Sequence, residues 1–334
     1  MWSIPSMKEK LRIGFIGAGG IAQAHYQRLM ETGRATVAAI TEPSQVSLKR
    51  FLMNCEGAEG LPVYRDYKEM LKREPLDGVI ILSPHTTHYS QIKDALEMGI
   101  HVLTEKPMVC TIHHAKALIG KAYKSGRVLM ISYQRHYDPL FRYMRSQIEK
   151  GAIGEVQFVQ AVLCQEWLRL TRNTWRQVLS LSGGGQLNDS GSHLVDILMW
   201  VTGMKVREVS ALQMNFTTDV DINTALTLRF ENGALGNLSI IGNAPAWYED
   251  HTIVGSKGAF YLRQGSGLTQ QNARGRCVSV KVPKYAGNPD SNFVDAIQGK
   301  AQPETPAVCG LRVIEVTEAA WKSAANGGRP VIVK

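Results

Sequence analysis

Lys106, Asp189 and His193 are the residues whose types and spacing in this chain could move a proton. Oxidising a secondary alcohol requires the hydroxyl proton to leave as hydride leaves the carbon, so a base must stand within hydrogen-bond reach of that oxygen. Lys106, in Glu105-Lys106-Pro107, is the leading candidate. It follows an apolar run at 100–104 that reads as a strand, and ligands in open α/β sheets bind at the carboxyl ends of strands. Pro107 biases it away from helical backbone. Taken alone, Glu-Lys-Pro is also what a surface turn looks like. Asp189 and His193 stand four apart where Asn188-Asp189-Ser190 reads as the start of a helix through 194–200, which would place both side chains on one face. Gly183-Gly184-Gly185 supplies a tightly turning approach. The competing reading is an N-capping aspartate and a satisfied, half-buried histidine.

A second constellation lies near the N-terminus. Gly17-Ala18-Gly19-Gly20-Ile21-Ala22 has the G-x-G-x-x-A spacing and follows a strand and opens a helix, the context that makes this pattern a dinucleotide loop. Gly17 would permit the turn, Gly19 would let backbone approach the pyrophosphate, and Ala22 would let helix and strand pack closely. The first turn at Gly20 and Ile21 would offer its N–H groups and positive dipole end to the phosphates. Glu42 closes the second strand, where a carboxylate can accept from adenosine ribose hydroxyls and repel a 2′-phosphate, favouring NAD. Lys49 and Arg50 leave NADP open, and a solvated turn residue before Pro43 is the other reading of Glu42.

These residues need a scaffold. The chain has 334 residues, enough for two domains. Apolar runs at 12–16, 36–41, 78–82, 100–104 and 128–132 alternate with amphipathic stretches, the pattern of a doubly wound parallel sheet buried on both faces. After a helix at 138–150 the pattern changes to successive strand-like runs at 155–164, 205–216, 222–230, 234–241, 251–255 and 259–263. The fold expected is α/β, with a dinucleotide-binding domain over 8–132. An α+β substrate and oligomerisation domain, on an open, mostly antiparallel or mixed sheet, follows over 133–334. The stretch 264–290 reads as a long loop or irregular edge. A helix at 307–325 and the run at 330–333 should pack back on one of the two domains.

Composition narrows the classes further. Hydrophobic residues make up 44% and charged residues 20%, an ordinary globular balance. A formal charge of +9 is dispersed in ones and twos, without a basic run or helix-turn-helix pattern, which argues against a nucleic-acid partner. No leader pattern and no apolar stretch of about 18 residues is present, so the expectation is a cytoplasmic protein with no membrane partner. Five cysteines without a C-x-x-C pair suggest reduced thiols. His85-x-x-His88 lacks a third ligand, and no metal is expected.

The chain resembles the oxidoreductases named after glucose-fructose oxidoreductase, inositol 2-dehydrogenase and MocA. The likeness runs in order through 17–22, Asp77-Gly78-Val79, Ser83-Pro84-His85-Thr86-Thr87-His88, 99–107, Trp175-Arg176, and the stretch from Gly183 to Asp196. It implies an NAD(P)-dependent sugar or polyol dehydrogenase with a Rossmann domain, acting on a small-molecule substrate as a homo-oligomer, dimer or tetramer. Lys106 would be the general acid/base, before a cis Pro107. His193 would hold or shuttle the substrate proton, and Asp189 would anchor another hydroxyl or orient the site. Ser83, Pro84, His88 and Glu105 would lie along the nicotinamide half of the cofactor, with Trp175 and Arg176 near cofactor or substrate. Two positions depart from the family pattern: His85 stands where asparagine is common, and His136 follows Gln134-Arg135 where a second arginine is common, which bears on the cofactor contacts of His85 and Arg135. Alternatives within the resemblance are a retained NAD that starts a lyase or glycosidase cycle, and a dinucleotide sensor without turnover.

Overall fold

The computed structural model describes residues 10–285 and 287–334. Residues 1–9, which include the start of the first expected domain and most of the segment read as lacking a leader, lie outside the described residues. Six parallel strands, β1 (Leu11–Ile16), β2 (Ala35–Thr41), β3 (Val63–Tyr64), β4 (Gly78–Ile81), β5 (His101–Thr104) and β6 (Leu129–Ile131), form a sheet in the order β3-β2-β1-β4-β5-β6. The order reverses between β1 and β4, which opens a crevice at their carboxyl ends. Phe15, Ile80 and Val102 are wholly buried, as strands covered on both faces require. The two-residue β3 carries no periodic signal and was not expected from sequence.

The second sheet has nine strands: β7 (Val156–Cys164), β8 (Val206–Met214), β9 (Asn223–Phe230), β10 (Leu235–Ile241), β11 (Tyr248–Gly255), β12 (Gly258–Arg263), β13 (Gly267–Asn272), β14 (Cys277–Ser279) and β15 (Val331–Ile332). Their order is β14-β13-β12-β11-β7-β10-β9-β8-β15, and only β7 and β10 pair in parallel. Along β9, Thr224, Leu226, Leu228 and Phe230 are buried while alternate residues are open, so one face packs on a core and the other stands free. Helices Pro139–Glu149, Gly191–Thr202 and Ala307–Ala325 contribute to the covered side.

The stretch 264–290 differs from the loop expected of it. It contains β13 and β14, which extend the sheet edge, and ends in the helix Pro289–Ile297. Thr269, Gln270 and Gln271, on the strand next to the exposed edge strand β14, are polar and only partly buried, so apolar alternation is missing there. The C-terminal region engages both parts. Ala307–Ala325 packs on β8 and on the Ile112–Ser125 helix, while β15 pairs with β8. Helix Pro289–Ile297 returns to the first sheet, where Phe293 and Val294 join the core of Ile13 and Phe15. Among the described residues no helix is long and apolar enough to cross a membrane.

Candidate active site

The glycine loop is built for a close ligand. Gly17 has φ +106°, and a Cβ there would stand 2.9 Å from the Leu82 backbone, so only glycine can make this turn. At Gly19 and Gly20 the space above Cα is open to 4 Å. Helix Gly20–Glu31 begins here without a side-chain cap, which leaves first-turn N–H groups for an anion. Ile21 is partly exposed on that turn, whereas Ala22 is wholly buried against the sheet. The adjoining cleft is about 550 Å³ and is lined by Gly17, Gly19, Glu42, Ser83, Pro84 and Trp175 among others. An open glycine cradle at an uncapped helix end fits a dinucleotide pyrophosphate.

Glu42 is not a solvated turn residue. Its Oε2 accepts from the Ala18 amide at 2.8 Å and its Oε1 from the Ser44 amide at 2.8 Å, which pins the loop to the end of β2.

Deeper in, Lys106 leaves the end of β5 through a cis Lys106–Pro107 bond. Its Nζ lies 2.5 Å from Asp189 Oδ1 and 3.3 Å from the Asp189 carbonyl. Asp189 departs from the role of an N-cap: helix Gly191–Thr202 starts after Ser190 and has no side-chain cap. Its other oxygen accepts from Trp167 Nε1 at 2.8 Å and Arg176 Nε at 3.0 Å. Burial opposes ionisation of this carboxyl, but Lys106, His85 and Arg176 outweigh it and hold the pKa far below the usual range. His193, on the first turn of the helix, makes no hydrogen bond through Nδ1, which is buried. Burial, then the positive charges of Lys106 and Arg135, push its pKa well down, so the ring is neutral at pH 7.

The triple glycine shapes this approach. A Cβ on Gly185 would meet the Asp221 carbonyl oxygen at 1.9 Å. The Asp221 carboxylate accepts from the amides of Gly185 and Leu187, at 3.0 and 2.8 Å, and so folds the turn that delivers Asp189.

The remaining residues singled out from sequence divide into groups. Ser83 and Pro84 line the cleft. Trp175 stacks edge-on against His85 at 4.7 Å and under the Arg176 guanidinium at 4.4 Å, so this pair closes the inner end of the cleft over Asp189. His85 is buried, with burial lowering its pKa to about 3, and its Nε2 lies 3.8 Å from Asp189. His88 is wholly buried with both nitrogens 2.9 Å from carbonyl oxygens, of Pro107 and Ser83, and braces the strand ends. Arg135 pairs at 2.5 Å with Glu249 of β11. Glu105 holds the Lys106 amide at 3.2 Å and faces His25. Sequence reasoning missed Trp167, Asp221, Glu249, His25 and Asp290. Of these His25 carried a signal, since it lies on the buried helical face of Ala22, Tyr26 and Leu29. A separate buried group, His136, Asp196 and Cys309, brings potential metal-ligating atoms within 4.8 Å, and there His136 Nε2 bonds Asp196 at 2.7 Å.

Fold and site define a two-domain oxidoreductase with an NAD-binding Rossmann domain. Residues 11–133 match the oxidoreductase family with the NAD-binding Rossmann fold and residues 141–261 match the GFO/IDH/MocA C-terminal domain, so the chain belongs to the Gfo/Idh/MocA family. Myo-inositol 2-dehydrogenase of Thermotoga maritima is 26% identical over 90% of this chain and 91% of its own length. D-glucoside 3-dehydrogenase of Escherichia coli is 30% identical over 60% of this chain and 57% of its own. A solved levoglucosan dehydrogenase, in complex with NADH and levoglucosan, superposes with TM-score 0.82 at 22% identity, covering 97% of this chain and all of that one.

Proposed function

We propose that this protein transfers hydride between NAD and a secondary hydroxyl of a sugar or polyol, with Lys106 as general acid/base. The observation that carries the reading is the Lys106 Nζ contact with Asp189, 2.5 Å, at the end of β5 beside the cofactor cleft. NAD held at the Gly17–Gly20 loop and along the cleft would supply the acceptor for the hydride of the hydroxyl-bearing carbon. In its neutral amine form Lys106 Nζ takes the hydroxyl proton as the carbonyl forms, and the resulting ammonium, beside the Asp189 carboxylate, returns it in the reverse direction. Asp189 orients Lys106 and draws Trp167 and Arg176 over the site. The neutral ring of His193 can donate or accept one hydrogen bond at a substrate hydroxyl. Glu42, at the adenosine end, favours NAD over NADP, and the free face of the second sheet is a surface that a second copy of the chain would cover.

The test is absorbance at the NADH band as the protein meets inositols, aldoses, glucosides, sugar acids and sugar phosphates with NAD or NADP, alongside Lys106→Ala. Signal with one substrate group is expected, and the variant should lose roughly 10²- to 10⁴-fold in kcat while binding NADH within about threefold of wild type. Near-normal turnover by the variant would remove Lys106 from the role. Silence across the panel despite NADH binding would point to a cofactor recycled in place.

A further inference from the structure

Beneath the glycine loop lies a charged cluster that the reaction as described leaves unused. His25, wholly buried on helix Gly20–Glu31, faces a carboxylate from each ring nitrogen: Asp290 Oδ1 at 2.6 Å from Nδ1, and Glu105 Oε1 at 3.0 Å from Nε2. A neutral imidazole has one N–H, and either tautomer would set a nitrogen lone pair against carboxylate oxygen. The doubly protonated ring donates to both carboxylates at these distances and leaves neither contact repulsive. The charges agree, because Asp290 also receives Arg28 Nε at 2.6 Å, so two carboxylates meet two cations.

We propose that His25 is a positioning residue for proton transfer at Lys106: a resident imidazolium that ties Glu105 to Asp290 and so fixes the backbone from which Lys106 extends. This rests on the reading of Lys106 as the acid/base. The connection is short. Glu105 gives Oε1 to His25 and Oε2 to the Lys106 amide, so whatever holds the Glu105 carboxylate holds the peptide that carries Lys106. Asp290 lies in the first turn of the helix Pro289–Ile297, which returns to the first sheet, so the clamp joins three segments distant in sequence.

The clamp has a pH limit. Burial alone would strip the proton from His25, but Asp290 and then Glu105 more than offset it and raise the pKa to about 9. The groups that face the ring are Asp290, from the returning helix, and Glu105, from the end of β5. Arg28 lies beyond Asp290, and Lys106, His88 and His193 stand within the field of Glu105.

Histidine-selective ¹⁵N spectra of the full chain, with His25→Gln for assignment, read the ring directly. Both nitrogens should be protonated at pH 7.5 and release one proton near pH 9, and Asp290→Asn should move that release down by about one unit or more. A neutral His25 at pH 7.5 overturns the proposal. For catalysis the probes are NAD with myo-inositol, D-glucose or methyl β-D-glucoside, whichever is oxidised. His25→Gln should lower kcat roughly 10- to 100-fold, the scale of an ångström's misplacement, with KM within about threefold. The wild-type fall in kcat near pH 9 should vanish in His25→Gln and come at lower pH in Asp290→Asn, a shift that loss of stability alone would not produce. A His25→Gln enzyme with wild-type kcat and pH profile refutes the positioning role, and if that variant does not fold, an unshifted profile in Asp290→Asn refutes it equally. An active Lys106→Ala would instead bring down the acid/base reading, and oxidation of none of the probes the proposed reaction, while the spectra still decide the clamp.

Discussion

Replacing Glu42 by alanine should weaken cofactor binding as well as alter cofactor choice, and the size follows from the two bonds its carboxylate makes. Both oxygens accept backbone N–H groups, of Ala18 and Ser44, at 2.8 Å. A hydrogen bond to a charged acceptor contributes about 1.5–3 kcal/mol. Ser44 is exposed and water can take over its amide, whereas Ala18 is 2% exposed and its amide has no such substitute. The loss at the loop is therefore about 2 kcal/mol. If the incoming cofactor must re-order the freed loop, that loss weakens NADH binding roughly 30-fold. Glu42→Gln keeps an acceptor for one of the two amides and should fall between. The assay is fluorescence titration of wild type and both variants with NADH and NADPH, beside their melting temperatures. NADPH should lose less affinity than NADH, because the carboxylate no longer repels a 2′-phosphate. A Glu42→Ala protein that binds NADH as wild type does and melts at the same temperature would refute the anchoring argument.

Two further outcomes follow from the same geometry. Gly185→Ala sets a methyl 1.9 Å from a backbone oxygen that no rotamer change can move aside, so denaturant titration should show a loss of about 3 kcal/mol or more, with kcat falling as Asp189 shifts; an unchanged midpoint and rate would contradict the turn. His25, whose pKa rises from 6.5 to about 9 on folding, contributes stability that is complete below about pH 6.5 and lost as pH climbs through 9, on the order of 3 kcal/mol. The gap in denaturant midpoint between wild type and His25→Gln should therefore close between pH 6.5 and 9.5, and a gap constant with pH would count against the imidazolium. Glu105, depressed to about 2 through His25 and Lys106 against the pull of burial, acts on the acid side: its share is present above pH 4.5 and fades below.

The first sheet was legible because its strands are buried on both faces and leave near-continuous apolar runs, and because the loop at Gly17 can be made by glycine alone. The second sheet was legible where strands alternate, as in β9, and illegible at β13, where polar Gln270 and Gln271 lie beside the edge strand β14 and are only partly buried. Within the site, the sequence signal marks Lys106 and Asp189 but not their bond, since 83 positions separate them. It offered Asp189 as a cap because Asn-Asp-Ser is a helix-start pattern; tertiary donors claimed the carboxylate instead. Trp167 and Asp290 had no local pattern at all. Their role exists only through partners brought in by the fold.

That dependence has a consequence for how the site assembles. Lys106 comes from the first sheet, while Trp167, Arg176 and Asp189 come from the segments between β7 and β8. Asp189 is 4% exposed, and a carboxylate so buried is stable only when its donors are in place, because an unpaired buried charge costs several kcal/mol. The Lys106–Asp189 bond, at the residue proposed as the acid/base, is therefore also a tie between the two sheets' segments. The returning helix adds a second tie through Asp290, which reaches the same Glu105-Lys106 peptide by way of His25 and Glu105. Lys106 is thus fixed at its stem by the His25 cluster and at its tip by Asp189. In the proposed acid/base role, a side chain held at both ends loses little freedom in reaching a substrate oxygen, and displacing either carboxylate would loosen the same lysine from a different end.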